Sequence, residues 1–127
     1  MKIVALIARI LLGVVFTVFG ANGFFHFLPQ PPLPPGLASQ YVIALAQSHY
    51  IVVPFTVQLI GGVLLLVNRY VPLALAILGP VIVNILCFHL FLEHTGLPLA
   101  FVAAILWFIL FYWHRQAFAG IFAQRSA

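Results

Sequence analysis

Apolar residues run through this chain in long stretches, broken by short polar or proline-rich punctuation. A bilayer core of about 30 Å takes about 20 helical residues to cross. Four stretches approach that length, at 3–28, 51–67, 71–92 and 97–113. The first starts behind Lys2 and runs on through Phe24, Phe25 and Phe27 without a small-x-small cleavage site. That predicts a retained span rather than a removed secretion signal. Pro29-Gln30-Pro31-Pro32-Leu33-Pro34-Pro35-Gly36 then breaks the pattern. Prolines lack N–H groups and fix φ, and their unpaired carbonyls cannot face lipid, so 29–36 predicts an extended loop at the water interface. Leu37–Gln47 predicts a short interfacial helix with Ser39, Gln40 and Gln47 as its wetter positions. Ser48 can cap the second span, and Pro54 falls in that span's first turn, where a missing N–H costs least. Asn68-Arg69-Tyr70 and Glu93-His94-Thr95-Gly96 read as turns, Pro98 starts the fourth span, and Gly79-Pro80 predicts a kink in the third.

The expected fold is all-α: an integral membrane four-helix bundle, one domain over 1–127, with a short interfacial helix after a proline-rich outer loop. Composition narrows the choice. With 65% hydrophobic residues, 5% charged and a mean hydropathy of +1.24, the chain has too little interior to hide its apolar side chains. That excludes a soluble monomer, and a disordered chain would need far lower hydrophobicity. Small residues at helical spacings (Gly13 and Gly20, Gly61-Gly62, Ala74 and Gly79, Ala100 and Ala104) predict close helix approach. Cys87 is the one cysteine, which excludes an internal disulfide, a CxxC dithiol, a CxxCH haem attachment and a multi-cysteine zinc site. Inside its apolar run it reads as a small buried hydrophobe.

Lys and Arg number five against one acid, too few and too scattered for a nucleic-acid surface. Their placement carries more. In a four-span topology Lys2, Arg69, Arg115 and Arg125 fall on one side, and Arg9 can snorkel to it. The other side, with the proline loop and the Glu93 turn, has no Lys or Arg. The positive-inside rule then places both termini in the cytoplasm. Tyr112 and Trp113 sit where an inner aromatic belt belongs, and Tyr50 where an outer one does.

Polar groups inside apolar spans are the candidates for chemistry. Asn22 and His26 are four residues apart on one face of the first span; Gln58 falls near the middle of the second; Asn84 and His89 lie in the outer half of the third. A site built from Asn22, His26, Gln58, Asn84 and His89 would open outward. Asn84 and His89 point about 140° apart, so they address different neighbours. The amides serve either as interhelical hydrogen bonders or as ligand contacts. His26 and His89 either pair with an amide or carbonyl, hydrogen-bond a ligand, or ligate haem iron or copper. His49 and His94 read as solvated turn residues. No HExxH, carboxylate pair or Ser-His-Asp set occurs, and Glu93 is the only acid, so no catalytic residue and no metal ligand is assigned.

Arg9-Ile-Leu-Leu-Gly13 with Phe16 and Phe19-Gly20, Gln58-Leu-Ile-Gly-Gly-Val-Leu-Leu-Leu66, and the histidine closing the third span resemble the DoxX-like family of small membrane proteins. Asn22-Gly-Phe-Phe-His26-Phe-Leu-Pro29 and Asn84-Ile-Leu-Cys-Phe-His89-Leu-Phe-Leu92 look like one subgroup of it. The resemblance covers nearly the whole chain and implies a four-helix bundle in a bacterial inner membrane. It also implies a link, in some members, to quinone-coupled oxidation or membrane redox complexes. The family often has a glutamate where this chain has Gln58, and an amide cannot carry a proton as a carboxylate does.

The expected function is therefore a binding or accessory subunit that holds a small amphipathic molecule, a quinone or a lipid, in the outer-half polar pocket. Its partners would be the bilayer, that ligand, membrane redox proteins and, for a homo-oligomer, further copies of the chain. The alternatives are a redox subunit using haem or metal at His26 and His89, and an oligomeric small-molecule transporter.

Overall fold

The computed structural model describes residues 2–28 and 35–124, and these form α1 (Lys2–Phe25), α2 (Leu37–Gln47), α3 (Val52–Val67), α4 (Val71–Phe91), α5 (Leu97–Trp113) and a C-terminal 3₁₀ helix (Arg115–Phe122). No strand occurs among the described residues. The proline-rich stretch over 29–34 and the terminal cation Arg125 lie outside them. Helix lengths decide which elements can cross a bilayer. At 1.5 Å per residue, the 24 residues of α1 and 21 of α4 extend about 36 and 32 Å. The 16 of α3 and 17 of α5 reach only about 24 and 26 Å. So two helices are long and apolar enough to cross alone. The number rises to four if α2 with α3, and α5 with the 3₁₀ helix, each count as one span bent by 85°.

Helix ends are set by backbone capping more than by hydropathy. The first apolar stretch was expected to run to 28, but α1 stops at Phe25 because His26 turns left-handed at φ 52. Asn22 seals that stop: its Oδ1 accepts the Leu28 N–H at 2.7 Å, and its carbonyl accepts the His26 N–H at 2.8 Å. Ser48 does not cap α3 as expected. Its hydroxyl donates to the Leu45 carbonyl and accepts the Tyr50 N–H, so it closes the end of α2 instead. At the far end of α3, Asn68 is left-handed (φ 57), and the N–H groups of Arg69 and Asn68 return to the Leu64 and Leu65 carbonyls. Arg9 completes the cap from another helix, donating to the Leu65 and Leu66 carbonyls. A cation fits there because α3's dipole leaves partial negative charge on those carbonyls.

The long helices pack in a ring, α1 against α3 and α5, and α4 against α3 and α5. The α1–α3 seam is the tightest. A Cβ at Gly20 would lie 2.7 Å from the Leu59 nitrogen, and one at Gly62 would lie 2.5 Å from the Thr17 nitrogen. These pairs, with Gly13 against Leu66 and Gly23 against the Phe55 ring, climb one helix as they descend the other, so the two are antiparallel. Backbones this close bury Thr17 Oγ1 without a partner. Across the ring, Gly61 makes room for Leu78 of α4. The Trp107 indole of α5 donates to the Leu75 carbonyl of α4 at 2.9 Å, and its ring lies over Gly79. Pro80 sits next to that contact, and α4 continues through it unbroken from Val71 to Phe91. Leu12, Leu65, Leu75, Leu78 and Leu110 fill the centre with no more than trace exposure. Cys87, expected inside, faces outward from α4.

The seam gives a direct test. Replacing Gly62 by Ala drives a methyl into the Thr17 backbone, which cannot yield as a side chain would. The expected cost is about 1–3 kcal/mol, the range for overpacking. At Gly79 the same change meets only ordinary contact, 3.4 Å from the Trp107 ring, and gains helix propensity. Thermal unfolding in a mild detergent should rank Gly79→Ala at or above wild type and Gly62→Ala clearly below it.

Candidate functional site

The five polar residues singled out from the sequence do not share one cavity wall. Asn22 is buried and spends its side-chain oxygen on the α1 stop. His26 is exposed at the left-handed position that ends the helix. Gln58 is buried on α3, where the register of the seam sets it level with Ala21.

His89 belongs to a second cluster, the α4–α5 turn. Its Nδ1–H donates to the Glu93 carbonyl at 3.0 Å, and its ring packs on Gly96 and meets Phe88 edge-on. His94 donates from Nδ1 to the His89 carbonyl at 3.0 Å. The Glu93 carboxylate accepts both the Thr95 hydroxyl (2.6 Å) and the Thr95 N–H (2.9 Å) on one oxygen, while its other oxygen lies 3.7 Å from His89 Nδ1. Those two Thr95 donors, the hydroxyl first, hold the Glu93 carboxyl below its ordinary value of 4.5, and His89 adds to the effect. The turn is thus tied by the only acid in the chain. Among the described residues no group of three or more His, Cys, Asp or Glu side chains is placed to hold a metal ion.

Of the five, only Asn84 lines an open cavity of about 320 Å³ between α2, α3 and α4. Val53, Pro54 and Val57 of α3 form one wall, Ile77, Pro80 and Val81 of α4 a second, and Tyr41 and Leu45 of α2 the third, with Tyr50 at the α2–α3 joint. Asn84 Nδ2 donates to the Tyr41 hydroxyl at 3.4 Å, and the Tyr41 ring packs against Phe88 at 5.5 Å. As acceptor in that bond, the Tyr41 hydroxyl keeps its own proton free to donate, and Asn84 Oδ1 is free to accept. Donor and acceptor stand side by side in a space lined otherwise by aliphatic residues, prolines and the Tyr50 phenol, and no charged residue lines it. Asn84 and Pro80, four residues apart on α4, share this wall. Tyr41 was missed, although a phenol four residues before Leu45 on an amphipathic helix is a polar signal of the same kind as the amides.

No protein-family model, curated protein or solved structure matches the chain.

The Glu93 turn makes a sharp prediction, because the chain contains a single acidic side chain. A depressed carboxyl pKa means that the ionised-state contacts are present from the ordinary range upward and are lost as the pH falls through the lowered value, below 4.5. With glutamate labelled at the carboxyl carbon, NMR titration should give one resonance with a midpoint below that value. Thr95→Ala removes the hydroxyl donor and should move the midpoint up. An unmoved midpoint would mean that the hydroxyl contact does not govern the turn.

Proposed function

We propose that this chain is an integral membrane protein of DoxX-like type that binds a small amphipathic molecule, a lipid or a quinone, in the cavity between α2, α3 and α4. In this reading α1, α3, α4 and α5 cross a bacterial inner membrane as a four-helix bundle, and both termini are cytoplasmic. Support for the topology comes from the apolar helices, the sequence resemblance, and the cations Lys2, Arg69 and Arg115 at one end of the ring opposite the Glu93 turn. The observation that carries the binding role is the cavity itself: apolar walls and one donor–acceptor pair, Tyr41 with Asn84, at its edge. Walls of this kind bury an aliphatic or ring body, and the pair orients one polar head. With no charged residue in the lining, the fitting head is a neutral carbonyl or hydroxyl rather than a phosphate.

Native mass spectrometry of gently solubilised protein tests the reading. Wild type should carry an amphiphile enriched over bulk membrane lipid. Val57→Trp, which fills the cavity, should abolish it. Asn84→Leu should weaken retention by about 2- to 10-fold, as expected for the loss of one hydrogen bond. Wild type carrying only lipid in bulk proportions, or Val57→Trp retaining the ligand, would overturn the assignment.

Topology is tested separately in a Cys87→Ala background. Thr95→Cys should react with an impermeant thiol reagent added outside intact cells, and Gln116→Cys only after permeabilisation. The reverse pattern would invert the orientation.

A further inference from the structure

The end of the ring opposite the Glu93 turn gathers features the cavity does not use. Because α1 and α3 are antiparallel, Lys2 lies at the same end as the Asn68–Tyr70 turn. Because α4 leads through a short turn into α5, Arg115 returns there as well. Lys2, Arg69 and Arg115 are all exposed. Arg9 reaches the same end but is engaged by the α3 carbonyls. The single acidic side chain is in the opposite turn, so no acidic side chain neutralises these cations.

Arg115 is held in a fixed pose. Its guanidinium stacks over the Tyr112 ring at 4.4 Å and donates to the Tyr112 carbonyl at 2.8 Å. A guanidinium held by its face and one N–H keeps other N–H groups in a planar fork, the geometry that matches a phosphate. From Arg115 the 3₁₀ helix turns 85° away from α5. Phe118 anchors it in the core against Phe111, while Ile121 and Phe122 remain 70% and 72% exposed. In the four-span reading the 17 residues of α5 cross alone, at the short end of what spans a bilayer. The 3₁₀ helix at right angles to it then lies in the plane of the interface, where such side chains enter the acyl boundary. Tyr70, Tyr112 and Trp113 stand exposed at the same level, as an aromatic belt does.

We propose that this end is a binding surface for anionic phospholipid headgroups, with Lys2, Arg69 and Arg115 on the phosphates and the 3₁₀ helix laid along the membrane through Ile121 and Phe122. The proposal rests on the reading that the chain spans a membrane, but not on the cavity or its ligand. Opposite charge near a bilayer surface contributes about fivefold in affinity per cation. The source is a lipid rather than free phosphate, because the exposed apolar pair beside the cations requires an acyl phase.

The full chain is to be incubated in mild detergent with equal amounts of phosphatidylglycerol and phosphatidylcholine, and bound lipid counted by native mass spectrometry. Wild type should retain phosphatidylglycerol preferentially. Arg69→Gln and Arg115→Gln should each lower that preference about fivefold and the double variant more, whereas Gln47→Ala, at the other end, should leave it unchanged. Equal retention of the two lipids, or a double variant as selective as wild type, would overturn the surface. Displacement of the lipid by inorganic phosphate but not by chloride at the same ionic strength would also overturn it, in favour of a free-anion site. Flotation separates the two readings. Protein that floats with pure phosphatidylcholine vesicles, yet shows no headgroup preference, sinks this proposal alone. Protein that floats with neither kind of vesicle sinks the membrane reading and the proposal together.

Discussion

How closely α1 and α3 approach sets the position of nearly everything else. Gly20 and Gly62 let each backbone touch the other, and the rest of the ring is arranged around that contact. In the proposed bilayer setting there is little hydrophobic gain from bringing helices together, and close van der Waals packing through small residues then holds the pair. The proximity has two effects. It brings the α3 C-terminus within reach of Arg9, and it pins α3 so that Val53, Pro54 and Val57 face away from α1 toward α4 and α2. The cavity lies on the side of α3 that the seam leaves free.

Much of the helical architecture is legible in the sequence because its punctuation is chemical. Pro98 and Trp113 bracket α5, and the proline run separates α1 from α2; both boundaries follow from missing N–H groups and from residues that prefer an interface. The small-residue positions are legible for the same reason, since only glycine at 20 and 62 permits contact between backbones. The end of α1 was not legible. Phe27 and Leu28 continue the apolar pattern, and the stop depends on Asn22 reaching forward to a backbone N–H.

The candidate site was harder to read, for a related reason. Asn22 and His89 look like functional groups because polar atoms in apolar spans need partners. Their partners here are the Leu28 N–H and the Glu93 carbonyl, backbone groups that every residue carries and no sequence pattern marks. Asn84 differs in that its partner, Tyr41, is a side chain on a separate helix, a pairing that the sequence did not mark. Gln58 is a buried amide on the α1–α3 seam, away from the cavity that Asn84 lines.

The Arg9 contact also bears on the order in which the molecule is made. Arg9 emerges from the ribosome with α1, but the Leu65 carbonyl that receives its guanidinium follows 56 residues later. During that interval α1 carries a charge in an apolar helix with its eventual acceptors not yet synthesised. The first helix is therefore unfinished as an isolated element, and its charge is settled only when the end of α3 arrives. The contact that finishes the first helix is thus one that only the later half of the chain can supply.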